Sequence, residues 1–223
     1  MVPVRDILHL SIQQLVFRLT PMPMAMAALI GLARYRQLTP NLRYLTLSII
    51  CFLLPLDSVG VLLMTLDQNN LFLLPIYSIG ELWLLALVYR QTLESPAFTR
   101  VMPWLVGGFT AYAVVDSWLA GVMEFRPWQQ VLQSVLILWL PGLYFRKLLN
   151  ELQVVSLLRE PMFWVSTGLL IYFSGYLLIA LFSDYLLYHY SWELNMNVWT
   201  INSLLFIILY FCYCRALWLT PQK

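Results

Sequence analysis

Four ionisable residues stand where the chain is otherwise apolar: Arg18, Asp57, Glu81 and Asp116. The stretch LLPLDSVGVLLM, Leu53 to Met64, shows the problem best, with one carboxylate in the middle of a run fit for hydrocarbon. A charge at the centre of a membrane helix costs on the order of 2.5–3.5 kcal/mol on insertion scales. Four of them are too costly to face lipid, so they are expected to point into a helix bundle, pair with one another or line a wet cavity. Arg18 is expected to snorkel outward or to pair with Asp57 on the adjacent helix. Asp57 and Glu81 are expected to face each other, and as a pair of acids they have the makings of a general acid and base.

Neutral polar residues follow the acids. Ser11, Gln14 and Arg18 share one helix face by spacing; so do Tyr77, Ser78 and Glu81, then Gln130, Gln133 and Ser134, then Trp199, Asn202 and Ser203. At about 1.5 Å per residue, Asp57 lies about 13–15 Å from Asp67 and Glu81 about 16 Å from Asn70. All these faces fall at the outer half or midplane of their segments. The other halves read LWLLALV (Leu82–Val88) and LILWLPGLYF (Leu136–Phe145), with almost nothing polar. The pattern predicts a carboxylate-lined pocket open to the outside above a dry apolar plug, with Arg18, Asp57, Tyr77, Glu81, Asp116, Gln133 and Asn202 as ligand-binding candidates. The alternative is a polar cluster that only holds helices together, through bonds of about 0.6 kcal/mol each.

These faces need long apolar helices to carry them. The chain has 223 residues, 61% hydrophobic and 11% charged, against about 25% charged in soluble domains. Seven runs are long enough to span a bilayer: 11–32, 43–65, 71–90, 101–121, 127–147, 161–183 and 196–217. The connections are short, no soluble domain fits, and residues 1–223 read as one all-α, polytopic membrane domain. Arg5 and AMAA (Ala25–Ala28) imitate a cleaved signal, but Gln13, Gln14 and Arg18 interrupt its apolar core, so the first helix is expected to stay. The prolines Pro21, Pro23, Pro55, Pro75 and Pro141 are expected to interrupt helices and free carbonyls near the polar region.

Lys and Arg set the orientation. Arg34, Arg36, Arg43, Arg90, Arg100, Arg146, Lys147, Arg159, Arg215 and Lys223 fall on one side, and only Arg5 and Arg126 on the other. The expected topology is an outside N-terminus and a cytoplasmic C-terminus in a bacterial inner membrane. Trp118, Trp128, Trp192 and Trp199 fall near the outer boundary, and Trp104, Trp164 and Trp218 near the inner one. An internal repeat also shows: GLARYRQL (Gly31–Leu38) against GLYFRKLL (Gly142–Leu149), and Asn70 and Arg90 around the third helix against Asn195 and Arg215 around the seventh. A three-plus-one-plus-three parallel arrangement gives this pattern.

Several chemistries are excluded. The net charge of +2, scattered over short loops, argues against nucleic acid. The only lysines, Lys147 and Lys223, sit at or beyond a boundary, where no retinal Schiff base forms inside the bundle. His9 and His189 lie far apart, and Cys212 and Cys214, two residues apart, point to different helix faces. No metal and no cofactor is expected.

The run from Leu45 to Leu93, with Asp57, Asn70 and YSIGELWLLAL carrying Tyr77 and Glu81, resembles an uncharacterised family of small bacterial seven-helix membrane proteins. To a lesser degree it is similar to the lysoplasmalogenase-like family, which hydrolyses a lipid vinyl ether. That likeness implies a catalytic role for Asp57 and Glu81, although Pro55–Leu56 stands where that family has Ser–Leu–Gly. The repeat is similar to that of small sugar transporters, and this likeness implies Tyr77 and Asn202 as a polar pair in helices three and seven. Three functions compete: a receptor or sensor of an external small ligand, a small-solute or proton-coupled transporter, and an intramembrane lipid hydrolase. The receptor reading leads and is not enzymatic. It calls for a cytoplasmic or membrane signalling partner, with Lys147–Glu160 as the docking candidate.

Overall fold

The computed structural model describes residues 16, 19–66, 68–120, 126–151, 157–189 and 192–219. Seven α-helices account for nearly all of them: α1 (Pro21–Ala33), α2 (Pro40–Thr65), α3 (Leu73–Leu93), α4 (Pro96–Ala120), α5 (Pro127–Glu151), α6 (Pro161–His189) and α7 (Trp192–Trp218). Five of them, α2, α3, α5, α6 and α7, are long and apolar enough within their described residues to cross a bilayer. The 25-residue α4 has the length, but Arg100, Asp116 and its glycines dilute its apolar character. Large apolar side chains such as Leu29, Leu62, Val114, Leu178 and Phe211 are exposed on the outside of the bundle. A surface of that kind is the lipid face of a multi-pass membrane protein.

Proline at the first position starts α2, α4, α5 and α6, where a missing N–H goes unnoticed. Pro75, expected to interrupt a helix, lies instead in the first turn of α3 and breaks no hydrogen bond there. Pro55 and Pro141 do lie inside helices, as does Pro103. At Pro55 the consequence is visible. The ring crowds the carbonyl four residues earlier and offers no donor to it. The preceding turn, Ile49–Leu53, has widened into a π turn closed by Leu54 N–H to the Ile49 carbonyl. Of the segment beyond it, Leu54–Thr65, no residue is buried.

The helices pack as a ring. α1 packs on α2, α2 on α3, α3 on α5, α5 on α6, α6 on α7, and α7 returns to α1. α4 stands outside, packed on α3 and only lightly on α5. Trp83 Nε1 of α3 donates to Thr110 Oγ1 of α4 at 3.0 Å. The two halves of the ring, α1–α3 and α5–α7, meet through α3·α5 and α7·α1, which are equivalent contacts if the halves are repeats.

The end of the ring that carries the loop arginines is tied across helices. Arg34 donates to the Trp218 carbonyl and lies over its ring. Asn41 Nδ2 reaches Thr92 Oγ1 at 3.1 Å. Lys147 Nζ donates to the Thr92 and Leu93 carbonyls at 3.1 and 3.2 Å, and Arg215 lies over the Trp164 ring. The middle of the ring is apolar: Leu85, Val88, Ile137, Val165, Leu169 and Leu209 are all nearly inaccessible. Tyr89 and Ser166 make a polar contact across it, 2.7 Å between hydroxyls.

Candidate functional site

Each polar side chain of the site is placed by local geometry. On α3, Tyr77, Ser78 and Glu81 fall on one face because they are three and four residues apart. Gly80, beside them, has no side chain, and the Phe52 ring from the π turn of α2 occupies the space a Cβ would fill. α2 therefore docks on α3 just below the acids, and its outer segment continues past them. On α5, Gln130 and Gln133 face α3. Gln133 Nε2 donates to Glu81 Oε2 at 2.9 Å, and Gln130 Nε2 donates to Ser78 Oγ at 3.2 Å. From α6, the Tyr176 hydroxyl donates to Gln130 Oε1 at 2.9 Å. Three helices are thus joined by the buried polar chain Ser78–Gln130–Tyr176, and α3 and α5 also by the separate Glu81–Gln133 pair, in which Glu81 is 7% exposed and Gln133 2%.

Above this chain lies a cavity of about 680 Å³. It is lined by α2 through Asp57 and Gly60, by α3 through Tyr77, Ser78 and Glu81, by α5 through Gln130 and Gln133, by α6 through Tyr172 and Tyr176, and by α7 through Trp199, Asn202 and Phe206. Thr20, Met64 and Asn70 are also part of its lining, so it sits at the end of the bundle away from the arginine-rich loops. The aromatic rings form a wall: Tyr176 stacks on Tyr172 with centroids 5.7 Å apart, Tyr172 meets Phe206 at 5.9 Å, and Phe206 meets Tyr210 at 4.6 Å.

Of the seven ligand-binding residues predicted from sequence, this cavity brings together five: Asp57, Tyr77, Glu81, Gln133 and Asn202. Tyr77 and Tyr210 lie within electrostatic reach of both carboxylates. Asp57 has no hydrogen-bond or ion-pair partner among the described residues, and Asn202 Oδ1 is buried without one. Asp116 is not in the lining. It lies on α4, outside the ring, with Tyr112 as an electrostatic neighbour; the periodicity of α4 gave no sign that the whole helix is peripheral. Arg18 lies outside the described residues, so its expected pairing with Asp57 is not part of this geometry.

Sequence reasoning missed Tyr172 and Tyr176. Their signal was a pair of hydroxyl-bearing rings at i and i+4 within an apolar run, which also fits plain core packing. Trp199, which the sequence placed both at the outer boundary and on one face with Asn202 and Ser203, lines the cavity together with them. Cys212 meets Gly168 of α6, while Cys214 Sγ points to the Pro23 carbonyl of α1 at 3.6 Å. The two thiols therefore face different neighbours. No cluster of metal-ligating side chains occurs among the described residues.

Fold and site together define a class, a multi-pass helical membrane protein with a largely apolar internal cavity that carries two carboxylates. No family model, no curated protein and no solved structure matches the chain.

Proposed function

We propose that the protein is a receptor-like binder of a small ligand that carries a positive charge. One observation carries the reading: the cavity is lined by Asp57 and Glu81 and by no basic side chain among the described residues. A buried carboxylate with a single amide donor is poorly compensated, and a cation from the ligand supplies what the described residues do not. The aromatic wall supports the same chemistry, since the faces of tyrosine and tryptophan attract organic ammonium groups. The volume is within the ordinary range for small-molecule sites, about 300–1,000 Å³. The apolar layer beneath the cavity supports binding over passage. With the basic loops placed in the cytoplasm by the positive-inside rule, the cavity faces the outside of a bacterial inner membrane, and the signal passes to a cytoplasmic or membrane partner.

A second reading, transport, draws on the closed ring with α4 outside it and on the matched positions of Tyr77 and Asn202, both in the lining. In that reading the two halves rock about the cavity.

The test uses the full chain in nanodiscs, titrated with small primary amines, quaternary ammonium compounds, neutral sugars and carboxylates. Saturable stabilisation by the cationic probes, absent in Asp57→Asn and Glu81→Gln variants that still fold, is the expected result. Equal or better binding of sugars or carboxylates overturns the choice of ligand. Saturable uptake of the bound cation into proteoliposomes, lost in Glu81→Gln, replaces the receptor by a transporter.

A further inference from the structure

The position of α4 outside the ring leaves a cleft between it and α5 at the arginine-rich end. The cleft has a volume of about 510 Å³ and is amphipathic: Phe98, Val101, Trp139 and Leu143 form its apolar part, and Ser95, Arg146, Lys147 and Asn150 its polar part. Phe98 and Trp139, with ring centroids 5.9 Å apart, bridge the two helices at its floor. Beyond Trp139 α4 and α5 close on each other along Met102, Leu105 and Leu136, leaving a space of only about 10 Å³. On the far side of Ser95 a second recess of about 610 Å³ carries Arg90 and Arg100, with Glu94 as its one acid.

The geometry points to a binding site for an anionic phospholipid in this cleft, with the phosphate at Arg146 and Lys147 and the upper part of an acyl chain along Phe98, Val101, Trp139 and Leu143. The charge pattern favours that occupant. Lys147 Nζ is held in place by the Thr92 and Leu93 carbonyls, which fixes a positive charge at the rim. Arg146, exposed beside it, presents a planar fork suited to phosphate oxygens. Ser95 and Asn150 add neutral hydrogen-bonding groups at headgroup level. The cleft opens on the outside of the ring, away from the cavity of Asp57 and Glu81. Basic recesses between membrane helices take anionic headgroups on general electrostatic grounds. The apolar part of the cleft, Phe98, Val101, Trp139 and Leu143, distinguishes a lipid from a free phosphate, which has no use for it. The site does not depend on the proposed ligand of the central cavity, nor on which leaflet the basic end faces.

The experiment is native mass spectrometry and thermal unfolding of the full chain, delipidated in a neutral detergent and then supplied with phosphatidylglycerol, with phosphatidylcholine or with inorganic phosphate alone. Phosphatidylglycerol is expected to be retained and to raise the Tm, while phosphatidylcholine and phosphate do neither. Arg146→Ala, at an exposed position, is expected to lower phosphatidylglycerol retention about fivefold. Val101→Trp, which fills the apolar part of the cleft without removing a charge, is expected to lower it as well. Equal retention of the two lipids, full competition by inorganic phosphate, or unchanged retention in both variants overturns the assignment.

Discussion

Gln133 is the side chain on which the buried Glu81 depends. Its amide is the one hydrogen-bond donor to that carboxylate among the described residues, at 2.9 Å and away from solvent. Gln133→Leu strands Glu81 and is expected to destabilise the protein by about 1–3 kcal/mol, the usual penalty for an orphaned buried polar group. Glu81→Gln keeps an acceptor for Gln133 and is expected to fold normally. Replacing both residues by leucine removes the mismatch and should recover much of the loss, measured by unfolding in detergent; full additivity of the two changes argues against the pairing. At the other end, Glu160 precedes Pro161 and accepts from the Met162 backbone N–H, which makes it the cap of α6. Burial pushes its carboxyl above the ordinary carboxylate range, and the Met162 N–H opposes that in part. The folded state therefore holds the proton more tightly than the unfolded chain. The resulting stabilisation is full at acid pH and is lost as the pH rises through the raised folded-state value. Glu160→Gln can still cap the helix, and it is expected to flatten the fall in Tm as the pH rises above the ordinary carboxylate range. An unchanged slope would sink this assignment.

The π turn of α2 connects sequence to site at the scale of the element. One extra residue in the turn rotates everything after it by about 100° relative to a regular helix, so the face on which Asp57 falls is set by Pro55 and not by the register of Pro40–Ser48. The spacing of apolar residues alone could not show this. It placed Asp57 in the second span and gave it depth, but a bulge has no period. The α3 and α5 faces were easier to read, because Tyr77, Ser78, Glu81, Gln130 and Gln133 lie on regular helices. Pro55→Ala removes the ring that crowds the Cys51 carbonyl and allows α2 to close into a regular α-helix. It is expected to weaken ligand binding more than about tenfold, about 1.4 kcal/mol, with the Asp57 carboxylate still present; unchanged binding would show that the turn is held by other contacts. Gly80 tests the same joint from the other side. A Cβ there overlaps the Phe52 ring, and Gly80→Ala is expected to cost about 1–3 kcal/mol as overpacking. Phe52→Leu in the same chain should return part of it.

At the scale of the whole molecule the two ends of the ring are built differently. Arg34, Asn41, Lys147 and Arg215 tie neighbouring helices at one end, whereas the outer segment of α2 has no buried residue at the other. A ring held at its base, with the outer segment of α2 unburied beside the cavity, is suited to respond to a ligand there. The run lengths in the sequence carried the number of helices, and the polar faces carried the end at which they meet. The exclusion of α4 was not legible: Asp116 looked like Asp57, and only tertiary packing separates a helix of the ring from one outside it. Nor did hydropathy alone mark which side of the membrane each end occupies, and that rests on the count of Lys and Arg. Here the count is lopsided, and both the tied end and the lipid cleft use those same cations. A cytoplasm-active fluorescent reporter fused after Lys223 is therefore expected to be active and a periplasm-active phosphatase at the same position silent. A phosphatase inserted between Gln68 and Asn69, in the short connection after α2, should be active. The reverse result at both positions would turn the cavity toward the cytoplasm. The acids would then meet an internal ligand, while the five lining residues and the lipid cleft would keep the geometry described above.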